Sequence, residues 1–307
     1  MISSILLKSI QKTFAYRGDG APQLRYFFAR EYGVSTEDFS FRSGRWLLRG
    51  KKHFVPGVKP KAIVVFFHGL GAGYTAYTQE ICAIAKQGYL VYAYDNTGCM
   101  TSEGQTIGCL CQSLLDQKAF FDYLDQNDHT GLPRFAVGHS WGGFTALGAL
   151  QEEYRVSKVV SISGFFYLPT VFMMAEKRLE KMESFLVRAL KKGYGKYGVM
   201  NMVDLIANTK ASVLYIQGEA DPVIIKSKHY DVLQQCVGKK ENVKLLLVKD
   251  AAHNPYWTLE AQKYFMDIQK GPRLPMVDFD NSFVVDYGKL NQDEPKVMKE
   301  IFDFLGV

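Results

Sequence analysis

From residue 62 onward, short apolar runs alternate with stretches of helical periodicity. The runs near 62–68, 90–95, 134–139, 157–162, 211–217 and 243–248 each have the length of a buried strand. Between them, residues near 76–87, 108–126, 142–154, 226–236 and 293–305 place apolar side chains at three- and four-residue intervals, the mark of a helix with one face on a core. This alternation predicts an α/β fold, a mostly parallel central sheet flanked by helices. Phe39 to Leu48 and the run before it predict antiparallel edge strands. At the N-terminus, Ile2, Leu6, Ile10 and Phe14 recur every four residues. They predict an amphipathic helix, docked on the chain's own core or lying on a membrane surface.

Pro and Gly are scattered and there is no internal repeat, so residues 1–307 are expected to form a single domain. One segment interrupts the alternation, residues 166–210, between two predicted strands. It opens with Phe166, Tyr167, Leu168 and Pro169, continues through Val171, Phe172, Met173 and Met174, and then repeats Phe172, Leu179, Met182, Leu186 and Leu190 at helical spacing. The expectation is an amphipathic helix inserted as a cap above the strand ends. Phe166, Phe172 and Met173 are then candidate substrate-binding residues, because aromatic and methionine side chains make an adaptable apolar lining. The same pattern also suits a helix packed permanently on the core.

Composition narrows the class. A chain of 307 residues that is 47% hydrophobic and 22% charged is an ordered globular protein. No apolar run reaches the ~18 residues of a membrane span. Lys8 breaks the first apolar stretch, so no secretory signal is expected. Five cysteines, an odd number without framework spacing, are expected as free thiols in a reducing cytoplasm. No Cys/His cluster has metal-site spacing, so no metal is expected. The net charge of +6 is uneven, with eleven Lys/Arg against four Asp/Glu in residues 1–60 and eight against four in 166–210. A basic flank attracts anions. It lacks the interleaved aromatics of a nucleic-acid site, so no nucleic-acid partner is expected.

Four strand ends carry candidate chemistry. The run Arg134 to His139 leads into Gly138-His139-Ser140-Trp141-Gly142-Gly143, and a helical pattern follows. A serine in Gly-x-Ser-x-Gly at a strand-to-helix turn can be held in a strained backbone with its hydroxyl above the sheet edge. Upstream, Ala62 to Phe67 runs into His68-Gly69-Leu70-Gly71-Ala72-Gly73. This loop is either a plain tight turn or the source of one oxyanion donor, the Leu70 N–H. The second donor would be the Trp141 N–H. Downstream, Ala211 to Gln217 ends in Gly218-Glu219-Ala220-Asp221-Pro222-Val223. Asp221 is the better candidate to orient a histidine, and Glu219 is its competitor. The run Val243 to Val248 leads to a loop carrying His253. Of six histidines, His68 and His139 belong to the two turns, His53 and His129 precede Asp221, and His229 falls on a helix face expected to be solvated. His253 alone follows both a strand end and Asp221, completing the order Ser140, Asp221, His253.

On these residues the chain resembles the α/β-hydrolases of the serine esterase and lipase type, the lysophospholipase, monoacylglycerol-lipase and serine-aminopeptidase-like hydrolases among them. The resemblance covers roughly residues 40 to 265. It rests on the His-Gly-Leu-Gly loop, the Asp95-to-Gly104 loop, the Ser140 elbow, the Gly218-to-Val223 turn and the His253 loop. It implies the α/β-hydrolase fold and a Ser140–His253–Asp221 triad. Hydrolysis of carboxylic esters would run through an acyl-serine, without metal or organic cofactor, on a small-molecule ester with an apolar acyl part. Thioester, peptide and carbon–carbon hydrolysis use the same apparatus, and a non-catalytic binding protein can share the fold. Two stretches fall outside the resemblance, the first 40 residues and the long segment 266–292.

Overall fold

The structure of the protein, a computed structural model, describes residues 2–21, 24–270 and 285–306. Eight strands form one sheet: β1 Ser35–Ser43, β2 Trp46–Phe54, β3 Ile63–Phe67, β4 Leu90–Tyr94, β5 Arg134–His139, β6 Val156–Ile162, β7 Ser212–Gly218 and β8 Val243–Val248. The spatial order is β1-β2-β4-β3-β5-β6-β7-β8. β1 and β2 form the antiparallel edge, with Ser35 opposite Phe54, and every pairing from β4 through β8 is parallel. β3 and β5 are buried at every position, as strands covered on both faces must be.

The helices are α1 Ile2–Thr13, α2 Thr78–Lys86, α3 Gln112–Asn127, α4 Trp141–Gly148, α5 Leu168–Ala175, α6 Glu183–Tyr194, α7 Met202–Asn208, α8 Tyr230–Val237, α9 Leu259–Lys270, α10 Tyr287–Leu290 and α11 Pro295–Leu305. One face of the sheet builds a core of Phe41, Tyr94, Phe120, Trp141 and Phe144. The opposite face packs Val64, Phe66 and Val137 with Ile81 of α2 and Ile301 of α11. The fold is that of the α/β-hydrolases, and the parallel strands lie where they were expected; the run Phe39 to Leu48, expected as an edge strand, instead contains the turn between β1 and β2. Several helices are shorter than their periodicity predicts. α4 stops at Gly148, and Glu152–Tyr154 is a separate 3₁₀ turn. Lys226–Lys228 is likewise a 3₁₀ turn ahead of α8.

The insertion is broken where one helix was expected. Glu176 adopts an extended backbone (φ −139°, ψ 94°), and its side chain accepts from the Arg178 N–H, so α5 ends and a 3₁₀ turn, Lys177–Met182, intervenes before α6. That turn buries nothing, whereas α6 buries Leu186, Ala189 and Leu190. The N-terminal helix docks on this insertion: a Cβ added at Gly193 of α6 would meet Leu7 of α1, and the Phe14 and Phe172 rings meet edge-on with centroids 6.0 Å apart. The chain is then stitched to the loop after β4. Gly18 N–H donates to Gly98 O at 2.9 Å, and Arg17 donates to the carbonyls of Met100 and Gly104. Of the segment 266–292, residues 271–284 lie outside the described residues. Among the described residues, no helix is long and apolar enough to cross a membrane.

Candidate active site

The candidate residues sit on loops at the C-terminal ends of β3, β5, β7 and β8, the edge of an open α/β sheet where ligands characteristically bind. Ser140 follows β5 with φ 57° and ψ −118°, a conformation that costs energy for any residue with a Cβ. Its N–H donates to Ile162 O at 2.8 Å, and its carbonyl accepts from Phe144 N–H at 3.1 Å. The flanking glycines are needed for space: a Cβ at Gly138 would overlap the Gly142 carbonyl, and one at Gly142 would overlap the Phe67 carbonyl.

Ser140 Oγ lies 2.8 Å from His253 Nε2, and His253 Nδ1 lies 2.9 Å from Asp221 Oδ2. The Asp221 side chain is fully buried. Its other oxygen accepts from the N–H groups of Val223 at 2.8 Å and Ile224 at 2.9 Å. Burial pushes the Asp221 carboxyl upward, but the His253 ring, by hydrogen bond and charge, and the two N–H groups outweigh it and hold its pKa below the ordinary carboxylate value. Glu219 points elsewhere, exposed, with one carboxylate oxygen 3.5 Å from the Asp250 N–H.

The loop after β3 is fixed from two sides. His68 is buried, and its ring bridges Gly69 O (Nδ1, 2.8 Å) and the Asn96 N–H (Nε2, 3.0 Å). Carbonyls only accept and backbone N–H groups only donate, so Nδ1 carries the proton. On the other side a chain of bonds reaches the His253 loop. Gly69 N–H donates to Tyr77 Oη at 3.1 Å, Tyr77 Oη lies 2.9 Å from His139 Nδ1, and His139 Nε2 lies 2.8 Å from the His253 carbonyl. That carbonyl forces a proton onto Nε2. The neutral ring then accepts at Nδ1 from the Tyr77 hydroxyl. The ring is neutral because burial, then the neighbouring His253, lower its pKa to about 3 against the opposing pull of its hydrogen bond and of Asp221. Leu70 lies on the exposed rim of this loop. Trp141 is the first residue of α4, where a backbone N–H has no intrahelical acceptor. Its indole is buried and donates to Leu110 O at 2.6 Å.

A cavity of about 350 Å³ opens beside Ser140 and His253, bordered by Gly69 and Leu70. Its apolar wall includes Tyr26, Phe27, Tyr32, Trp257, Phe265 and Tyr287. Phe166, Phe172 and Met173 are not among its lining residues, a correction to their expected place. Phe166 packs on Tyr215 and His229, with ring centroids 5.0 and 5.7 Å away. Phe172 packs on Phe14, and Met173 leans on the same core. The apolar face that looked available to substrate is covered by α1. His229, expected on a solvated face, is buried beside Phe166. The residues that sequence reasoning missed are Tyr77 and the wall. The density of aromatics at Tyr26, Phe27, Phe28 and Tyr32 was the one available signal for the latter.

Residues 58–202 match the family model of the serine aminopeptidases, S33. The match includes Leu70, Ser140 and Trp141 and stops short of Asp221 and His253. Over 104 residues the chain is 30% identical to the monoglyceride lipase of Homo sapiens, covering 33% of this chain and 34% of that one. Over 96 residues it is 36% identical to an uncharacterized abhydrolase domain-containing protein of Dictyostelium discoideum, covering 31% and 10%. The matched part thus spans about a third of one of these curated relatives and a tenth of the other. Among solved structures, a Pyrococcus furiosus esterase is similar at a TM-score of 0.60 and 20% identity, covering 83% of this chain and 97% of its own. The chain has the α/β-hydrolase fold, and the family model and these neighbours that it resembles are of hydrolase type.

Proposed function

We propose that this protein is a serine hydrolase that cleaves carboxylic esters bearing an apolar group. The observation that carries the reading is the unbroken series Ser140 Oγ, His253 ring, Asp221 carboxylate, at 2.8 and 2.9 Å, beginning on a strained elbow. Ser140 Oγ attacks the ester carbonyl carbon while His253 Nε2 takes its proton. Asp221 holds the Nδ1–H tautomer and stabilises the imidazolium. The Leu70 and Trp141 N–H groups stabilise the oxyanion, each worth about 3 kcal/mol. When the tetrahedral adduct collapses, the C–O bond breaks and His253 returns the proton to the departing alcohol. Water, deprotonated by His253, then releases the acid and restores Ser140. Amide cleavage is the second reading, favoured by the match to the serine aminopeptidase model. Thioester and carbon–carbon substrates would use the same groups.

Incubation with a fluorophosphonate probe should label the wild type, and Ser140→Ala should abolish both labelling and turnover of p-nitrophenyl esters. A folded wild type that is not labelled would replace this reading with a binding protein that keeps the fold. An aminoacyl amide turned over faster than any ester would select the peptidase reading.

A further inference from the structure

Much of the apolar wall of the cavity comes from segments outside the catalytic loops that border it. Residues 24–32 precede β1, and α9 and α10 follow β8. The two are sewn together across the opening: the Arg25 backbone N–H donates to Tyr287 Oη, and the Phe27 ring meets Tyr287 edge-on with centroids 5.0 Å apart. Leu24 joins Trp257, Phe265 and Tyr287 in a small apolar cluster around Ile268, Val285 and Leu290. The charged side chains among the described lining residues are already engaged. The Arg25 guanidinium pairs with Glu31 and sits 4.6 Å from the Phe27 ring centroid. Glu80 is buried and accepts from Trp257 Nε1 at 3.1 Å, and burial followed by the nearby Asp293 raises its carboxyl well above the usual range. An ion entering here would be desolvated without gaining a free partner among the described residues that line the cavity, which is costly.

Resting on the reading that Ser140 is acylated, we propose that this seam between residues 24–32 and the residues that follow β8 is the specificity wall. Leu24, Phe27, Trp257, Phe265 and Tyr287, not the insertion 166–210, select uncharged esters with a bulky apolar part. Adding methylenes to the substrate then adds burial against these rings until the cavity is full.

The test compares kcat/KM for p-nitrophenyl acetate, p-nitrophenyl octanoate and a p-nitrophenyl half-ester of succinate. The proteins are the wild type, Phe27→Ala, Phe27→Leu and Met173→Ala, with fluorophosphonate labelling of Ser140 followed in each. The octanoate-to-acetate ratio should fall about tenfold in Phe27→Ala and recover in part in Phe27→Leu, as loss of buried apolar area requires. Met173→Ala should leave the ratio as in the wild type, and the succinate half-ester should be the poorest substrate of the wild type. A ratio that falls with Met173→Ala and not with Phe27→Ala would overturn the proposal, as would efficient turnover of the half-ester. Phe27→Leu, which keeps apolar bulk at the position, separates a folding failure of Phe27→Ala from a loss of selection. An unlabelled wild type would sink the hydrolase reading itself, whereas normal labelling with an unchanged ratio in both Phe27 variants would sink the wall alone.

Discussion

Tyr77 lies eight residues after Gly69 and 62 before His139, yet it is bonded to both. Its hydroxyl accepts from the loop proposed to hold the oxyanion and donates to the ring that anchors the His253 carbonyl. Tyr77→Phe leaves the Gly69 N–H and His139 Nδ1 without partners, and kcat should fall about tenfold or more with little change in KM, the effect of two lost buried bonds on geometry. A KM change alone would assign Tyr77 to substrate binding instead. Asp221→Asn should cost about 10⁴-fold in kcat because the wrong tautomer of His253 is favoured, while Glu219→Gln should leave the rate unchanged.

His139 also carries a pH signature. Its pKa is about 3 in the folded chain against 6.5 in the unfolded one. As pH falls below 6.5 the unfolded chain takes up a proton that the folded chain refuses, so stability is lost progressively down to about 3 and holds its full value above 6.5. His139→Asn should flatten the melting temperature between pH 6.5 and 4 relative to wild type. An unaltered slope would mean that this ring is not kept neutral. Ser140, Asp221 and His253 were legible because each falls at the end of an apolar run, with glycine, proline or both nearby. Tyr77 was not, because a tyrosine inside a helical pattern looks the same whether its hydroxyl meets water or a buried histidine.

At the scale of elements, strands were read more accurately than helices. A fully buried strand such as β3 or β5 leaves a contiguous apolar run with definite ends. Helix ends depend on backbone turns that periodicity does not record. Glu176 interrupts an apolar series from Phe172 to Leu190 that keeps helical spacing, because a side-chain cap on the Arg178 N–H satisfies the backbone locally. The misplacement of Phe172 has a similar origin: an apolar face looks alike whether it awaits a ligand or another helix. Here α1 covers it. Phe14→Ala should therefore destabilise the protein by about 3 kcal/mol and lower the melting temperature. The octanoate-to-acetate ratio should hardly move, since Phe14 faces Phe172 and is not part of the cavity wall. A selective loss of octanoate activity would restore the insertion as the selecting element.

At the scale of the whole molecule, the basic excess of residues 1–60 does not translate, among the described residues, into a free cationic site in the cavity beside Ser140. Arg17 is spent on Asp19 and on carbonyls of the loop after β4, and Arg25 on Glu31. Net charge was legible in the sequence, but its pairing was not, because the partners lie far apart along the chain or in loops without pattern. Residues 24–32 and 285–291 meet beside the cavity, and the sheet whose loops carry Ser140, Asp221 and His253 lies between them in sequence. That arrangement separates inheritance of the cutting edge from inheritance of its fit. Segments 24–32 and 285–291 can drift, or be exchanged with those of a sister chain, without severing a strand or shifting the register of β5, β7 and β8. New preferences would then be acquired in the segments that flank the sheet while the sheet itself stays under constraint.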